Sequence, residues 1–316
     1  MSEANSAQES KAILYLLGGV MAGLGLDLCA KQLLATYSLE QFVFVRTLIG
    51  AVLLLMISTQ FGGLKTLSTK NYGWHALRTL LSCGALFGFF YGLSQMPLID
   101  ALTLGYTAPL MMTALSALFL QDKVGWRRWT AVFVGFAGVL IMLRPGAETW
   151  SFASITILFA AFCYACLAIT SRFLASEESS LSLSFYVLSG PILIAIVMMS
   201  GSGWAAPDMA GWMLFVVAGV CSVLAWIGIV GGYRRASPAT LAPFEYTALV
   251  AGAIAGFLIW GEVPDRSTVV GALIIAGSGL FVAYREAGSP MAARYMRALT
   301  ATAATLSRRV RLRARR

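Results

Sequence analysis

Ten long apolar runs constrain this chain more than any other feature: Ile13–Ala30, Phe42–Ser58, Leu80–Met96, Leu98–Leu120, Trp129–Leu143, Ile155–Ile169, Leu181–Ser200, Trp212–Val230, Leu241–Trp260 and Val269–Tyr284. A helix crosses the hydrocarbon core with ~20 apolar residues, over a range of about 17–25. The fifth, sixth and tenth runs fall short as counted, and flanking residues such as Thr170 and Ser171 are expected to extend them. Backbone N–H and C=O groups cannot stay unpaired in hydrocarbon, which leaves helices or barrel strands. The runs are too long and too continuously apolar for alternating barrel strands. The expected fold is therefore an all-α integral membrane protein with ten transmembrane helices. Composition agrees: 12% of residues are charged and mean hydropathy is +0.78, against about 25% charged in soluble domains.

Ile13–Ala30 is read as the first span. Its upstream stretch has Glu3, Glu9 and one lysine, Lys11, so it lacks the basic region of a signal peptide. The five cysteines all fall in spans. Cys163 and Cys166 form a CxxC in mid-helix with no other ligand nearby, and are read as small buried hydrophobes. His75 is the sole histidine, which excludes histidine-rich metal sites. No GxxxxGK[ST], HExxH or GxSxG motif occurs, so neither ATP-driven pumping nor an enzyme is expected. No cofactor and no metal are expected.

Basic residues set the orientation. With a cytoplasmic N-terminus, 19 of the 23 Lys and Arg residues fall in inside segments; Lys31, Arg144 and Arg266 fall outside, and Arg46 lies within a span. The positive-inside rule then places both termini in the cytoplasm of a cell whose inner (plasma) membrane holds the chain. The tail from Arg285 carries nine arginines, with Leu299, Ala303, Leu306 and Val310 in one helical stripe and Arg294, Arg297, Arg308, Arg311 and Arg315 in another. That pattern suits a helix on anionic lipid or a solvated tail, and favours neither nucleic acid nor a soluble partner.

The chain also repeats itself. Tyr106-Thr107-Ala108 matches Tyr246-Thr247-Ala248 at an offset of 140, and Asp122 matches Glu262 at the same spacing. Lys31 and Arg172, at the ends of spans one and six, differ by 141. These matches divide the chain into residues 13–146, residues 150–284 and a basic tail, 285–316. Each half has five spans, an odd number, so the second enters the membrane inverted, the arrangement of secondary transporters.

PLIDALTLGYTAPLMMTALSALFLQDKVGWRRWTAVFVGFAGVLIMLRPG (97–146) and LAPFEYTALVAGAIAGFLIWGEVPDRSTVVGALIIAGSGLF (241–281) resemble the two EamA repeats of the drug/metabolite transporter superfamily. APFEYTA and GEVPD resemble the subgroup that holds riboflavin and S-adenosylmethionine uptake carriers. The usual Glu after span four is Asp122 here. The resemblance implies a secondary carrier of a small organic metabolite, with export of amino acids or other metabolites as the alternative. A polytopic membrane enzyme or receptor is the more distant alternative. H+ is a candidate coupling ion.

Charges at membrane depth are costly and tend to face a cavity or one another. Asp27 either pairs with Lys31 one helical turn on or serves a substrate or proton. Arg46 either binds a carboxylate or phosphate or pairs with Asp27. Asp100, three residues after Pro97, is placed to cap or stabilise a helix start. Glu245, two residues after Pro243 in an apolar run, suits either a helix first turn or a protonatable cavity site; exposure to lipid is rejected. Pro109 and Pro191 lie mid-span and free the carbonyls of Gly105 and Val187, so each is expected to break or kink its helix. Tyr106 and Tyr246 offer hydroxyls and ring faces at equivalent places. Asp122 and Glu262 are read as caps for the following span or partners of Arg127 and Arg266. Phe87, Phe90 and Tyr91 share one helix face. The pairs Gly19/Gly23, Gly84/Gly88, Gly88/Gly92 and Gly252/Gly256 are read as close helix contacts.

Overall fold

The computed structural model of the protein describes residues 2–58, 69, 71–119, 125–144, 151–174, 178, 180–233, 235, 241 and 244–287. Asp122, Pro243, the side chain of Arg172 and the tail beyond Ala287 lie outside the described set, and with them the readings made of those residues. Among the described residues there are eleven helices and no strand. They are α1 (Ser2–Leu34), α2 (Leu39–Ser58), α3 (Tyr72–Gln95), α4 (Leu98–Gly105), α5 (Ala108–Phe119), α6 (Trp126–Leu143), α7 (Phe152–Leu174), α8 (Ser180–Ser202), α9 (Met209–Tyr233), α10 (Thr247–Trp260) and α11 (Arg266–Ala287).

Ten spans follow once α4 and α5 are counted together: nine stretches are long and apolar enough to cross a membrane, and α10 is a shorter apolar helix. The short fifth, sixth and tenth runs lengthen as expected, α7 through Thr170 and Ser171 to Leu174. Span nine differs from the sequence reading. It is not one helix over Leu241–Trp260, because a turn at Tyr246 interrupts it before α10.

Span four is interrupted at the matching place, between Gly105 and Ala108. Pro109 explains the break. It has no N–H to give to a preceding turn, and it fits the first turn of a new helix, where that N–H is not needed. The Thr107 carbonyl opens that helix by accepting from Leu110 N (3.0 Å) and Met111 N (3.1 Å). The Thr107 hydroxyl folds back on Leu104 O at 2.6 Å, and 140 residues on the Thr247 hydroxyl does the same to Phe244 O at 2.6 Å. The two breaks share one local chemistry.

Pro191 acts differently. Helix α8 runs through it without interruption. The carbonyl it frees, Val187 O, accepts the Ser82 hydroxyl at 2.8 Å, and Tyr186 O accepts that of Thr79 at 2.9 Å. Proline here is absorbed by packing on α3 and opens nothing.

Packing follows a two-fold relation between the halves. α1 lies on α9 and α3 on α7, the two contacts such a relation interchanges; α2 lies on α8 and α6 on α11, each pairing an element with its own counterpart, and α10, the counterpart of α5, lies on α4. Glycines show it at atomic level. A Cβ on Gly228 would sit 2.6 Å from Gly19 N and from Tyr15 O, and one on Gly88 would sit 2.9 Å from Thr156 O and 3.2 Å from the Cβ of Ala160. Gly88 and Gly228 differ by 140, and Tyr15 and Thr156 by 141. Small residues here let backbones touch. A Cβ on Gly84 would sit 2.8 Å from the Cys163 sulfur, so Cys163 is buried packing; among the described residues the five cysteines are free.

Polar ties join the halves at both membrane faces. At the face where α1 ends, Lys31 pairs with Glu262 and donates to Met96 O at 3.0 Å, while Glu262 also accepts from Leu98 N at 2.8 Å. This corrects two readings: Lys31 does not pair with Asp27, and Glu262 neither caps α11 nor meets Arg266. Asp265 is the α11 cap, accepting from Thr268 N at 2.7 Å, and it pairs with Arg144 at 3.1 Å. Asp100 lies in the first turn of α4 without capping it, and instead accepts from the Thr268 hydroxyl at 2.9 Å. At the other face, Glu178 accepts from Thr69, from Asn71 (3.2 Å) and from Ser182 (2.9 Å), with the buried His75 imidazole 3.5 Å away.

Candidate functional site

Between the halves lies a cavity of about 410 Å³, within the ~300–1,000 Å³ of small-molecule pockets. Its walls come from α1, α2, α3, α7, α9 and the broken spans. Five of the six residues singled out in the sequence line it: Asp27, Arg46, Tyr106, Pro109 and Glu245. Tyr246, the sixth, stands behind the wall with its ring 5.2 Å from that of Tyr106. The Tyr106 hydroxyl donates to the backbone carbonyl of Glu245 at 2.8 Å. Each break thus supports the other, which fixes Tyr106 and Glu245 on a common edge of the cavity.

Glu245 sits among three tyrosines, within electrostatic reach of Tyr106, Tyr164 and Tyr246. It faces the cavity, and the run TLAPFEYTALV carries a carboxylate because the helix is broken there against its counterpart. Asp27 and Arg46 interact electrostatically, but no carboxylate oxygen of Asp27 lies within 4.0 Å of the guanidinium. The expected direct pair is absent. Arg46 instead lies against the ring of Phe90, 5.4 Å from its centroid.

Two further wall residues, Phe89 and Tyr164, carried no weight in the sequence reading. Phe89 and Phe90 line the cavity, whereas Phe87 packs on the core and Tyr91 meets Phe152 edge-on. Of the grouped Phe87, Phe90 and Tyr91, Phe90 alone lines the cavity. Tyr164 also lines the cavity and is 57% exposed. Its one detectable signal is a hydroxyl in the middle of the apolar run Ile155–Ile169.

The wall combines two acids, one base, ring faces and a tyrosine hydroxyl around a space at the junction of two interrupted helices. That is an arrangement for holding an organic solute with charged groups. The EamA-like transporter family matches the chain twice, over residues 10–144 and 151–284. The chain belongs to that family. The S-adenosylmethionine uptake transporter of Rickettsia bellii is 30% identical over 262 residues, 82% of this chain and 89% of the relative. The riboflavin transporter of Vibrio cholerae is 30% identical over 273 residues, 83% and 91% of the two chains. The pseudopaline exporter of Pseudomonas aeruginosa is 27% identical over 246 residues, 78% and 86%. A crystal structure sharing 19% identity superposes with a TM-score of 0.64, covering 89% of this chain and 99% of the other, which shows the fold. The EamA protein described here is thus a multi-span transporter of a small molecule, not an enzyme.

Proposed function

We propose that this EamA protein is a secondary carrier that moves a small organic metabolite across the inner membrane by alternating access, its halves 13–146 and 150–284 rocking about the central cavity. The observation that carries the reading is the charged cavity at the meeting point of two broken helices. Two inverted halves of near-equal structure offer two near-equal packings, one open to each side. Both termini are assigned to the cytoplasm on the distribution of Lys and Arg, and the tail 285–316 to contact with anionic lipid on its nine arginines. Glu245 is assigned the coupling proton, because an acid at membrane depth that faces a cavity is placed to take up and release one. S-adenosylmethionine and riboflavin, named for two relatives, are the first probes; the Pseudomonas relative favours the alternative direction, export.

The test is counterflow in proteoliposomes. Labelled probe should accumulate against unlabelled internal solute without covalent change, and a pH gradient should drive net flux. Glu245→Gln should abolish the pH-driven component while exchange survives. Unaltered pH dependence in that variant removes Glu245 from coupling, and absence of flux for all probes removes the carrier reading.

A further inference from the structure

Among the described residues two arginines are buried, and their surroundings differ. Arg78, 4% exposed, leaves only its Nε unpartnered, and its terminal nitrogens are engaged: Nη1 donates to Leu167 O (3.1 Å), Thr170 Oγ1 (3.0 Å) and Ser171 Oγ (2.8 Å), and Nη2 to Leu183 O (3.4 Å). It ties α3 to α7 and α8, as a structural arginine does. Arg46 is 6% exposed, and among the described residues its guanidinium meets no hydrogen-bond acceptor and no carboxylate within 4.0 Å. Its Nε is wholly shielded and unpartnered. What holds it is the Phe90 ring and the pull of Asp27 from beyond ion-pair distance. Guanidinium keeps its proton in proteins and presents a planar fork of donors. Leaving such a group dry and unpaired is costly, and here the group faces a cavity.

We propose that Arg46 is the carboxylate-receiving group of the cavity, so that the carried solute is a zwitterion whose carboxylate docks on Arg46 while its cationic group lies by Asp27 or Glu245. The proposal rests on the carrier reading and narrows it. With Glu245 unprotonated, Asp27, Glu245 and Arg46 together leave one negative charge in excess, which a solute with one carboxylate and two cationic centres balances. A phosphate would instead bring two further negative charges to a wall that already has two acids. Phe90 fixes the guanidinium, and Phe89, Tyr106 and Tyr164 leave ring faces for a planar extension. Among the solutes named for relatives, S-adenosylmethionine has a carboxylate, an ammonium and a sulfonium; riboflavin has no carboxylate and no net charge.

The experiment measures counterflow of S-adenosylmethionine, decarboxylated S-adenosylmethionine and riboflavin by the full-length chain. The decarboxylated compound lacks only the group assigned to Arg46. A charge-assisted bond of this kind is expected to separate the two KM values by about 10- to 100-fold in the wild type. Arg46→Gln should collapse the ratio by weakening S-adenosylmethionine alone, and Arg46→Lys should restore part of it. Phe90→Leu leaves the guanidinium unheld and should raise KM for S-adenosylmethionine more than for its decarboxylated analogue. That variant carries the comparison if Arg46→Gln does not fold. Equal handling of the two compounds by the wild type, a preference that survives Arg46→Gln, or flux of riboflavin alone overturns the assignment while leaving the carrier reading in place. Flux of none of the three overturns both.

Discussion

Gly18 and Gly19 are neighbours on α1, and the structure gives them opposite fates on substitution by alanine. A Cβ on Gly18 meets nothing within 4 Å, whereas one on Gly19 would lie 2.6 Å from Ile229 N and 2.9 Å from two backbone atoms of Gly228. The closest of these falls 0.8 Å short of the 3.4 Å at which ordinary contact begins. All three atoms are α9 backbone, so no side-chain rotation relieves the clash and the two helices must move apart. Overpacking of this kind costs about 1–3 kcal/mol, and in a membrane the loss falls on the van der Waals contact that holds the helices together. The gain in helix propensity, ~1 kcal/mol in water, is common to both positions and cancels in the comparison. Gly19→Ala should therefore be less stable than Gly18→Ala by about 1–3 kcal/mol, read as a lower midpoint in thermal unfolding of the detergent-purified protein. Gly228→Ala should behave as Gly19→Ala does. The double variant should lose less than the sum, because helices already forced apart accept the second methyl. Equal midpoints for Gly18→Ala and Gly19→Ala would refute the close crossing of α1 and α9, and with it the placement of Asp27.

Lys31 and Glu262 should show the same kind of coupling. The pair is only partly exposed, at 14% and 17%, so Lys31→Met or Glu262→Gln alone should lower stability by about 1–2 kcal/mol, between surface and buried pairs; strictly additive losses in the double variant would mean the two do not interact. Ser82→Ala strips the donor from the carbonyl that Pro191 frees and should cost about 0.6–1.7 kcal/mol, with the solute preference unchanged because Ser82 does not line the cavity; a changed preference would place α8 in recognition. Asp265 lies outside the spans. The Thr268 backbone N–H first, then the Ser267 and Thr268 hydroxyls and Arg144, hold its carboxyl below the ordinary range against the opposing effect of burial. Its stabilisation is therefore complete above the ordinary carboxylate pKa and fades as pH falls through the lowered one. Asp265→Ala should cost about 1 kcal/mol near neutrality, as loss of a helix cap does, and converge with the wild type in acid; a gap that widens in acid would reverse the sign.

Local rules found what local forces decide. Run length gave the spans, and the missing N–H of Pro109 gave the break before α5. The triplet Tyr-Thr-Ala, seen twice, marked both breaks, although only the first is followed at once by a proline. Failures came where a distant partner outbid a near one. Asp27 and Lys31 are one turn apart, yet Lys31 reaches Glu262, 231 residues away in sequence, because the end of α1 is packed against the end of α10. Pro191 carries the same local signal as Pro109, but Ser82 on another helix satisfies the carbonyl and the helix stays whole. The face of α3 that meets the cavity is fixed by the glycine contacts of Gly84, Gly88 and Gly92 with α7, and a wheel drawn on α3 alone cannot see them. Tyr164 was hidden because an aromatic in an apolar run reads as core until the space beside it is known.

What repeats and what does not divides scaffold from recognition. The elements that recur at 140 or 141 residues are structural: the glycine crossings at Gly88 and Gly228, and the Leu104 and Phe244 carbonyls bound by threonine. The charged residues of the cavity do not recur. Asp27 falls against Leu167 or Ala168, Arg46 against Tyr186 or Val187, and Glu245 against Gly105. A carrier that rocks between two faces needs halves of matching shape, since only then are its two packings close in energy. A solute is asymmetric, and a site with duplicated charges would bind it in two opposed poses with equal strength, so discrimination requires the symmetry to fail where the solute touches. Inserting the missing charge at a symmetry mate separates the two demands. Gly105→Glu, at the mate of Glu245 on the cavity wall, should leave the helix pairing intact and still impair transport, because it offers the cationic group a second seat on the wrong half.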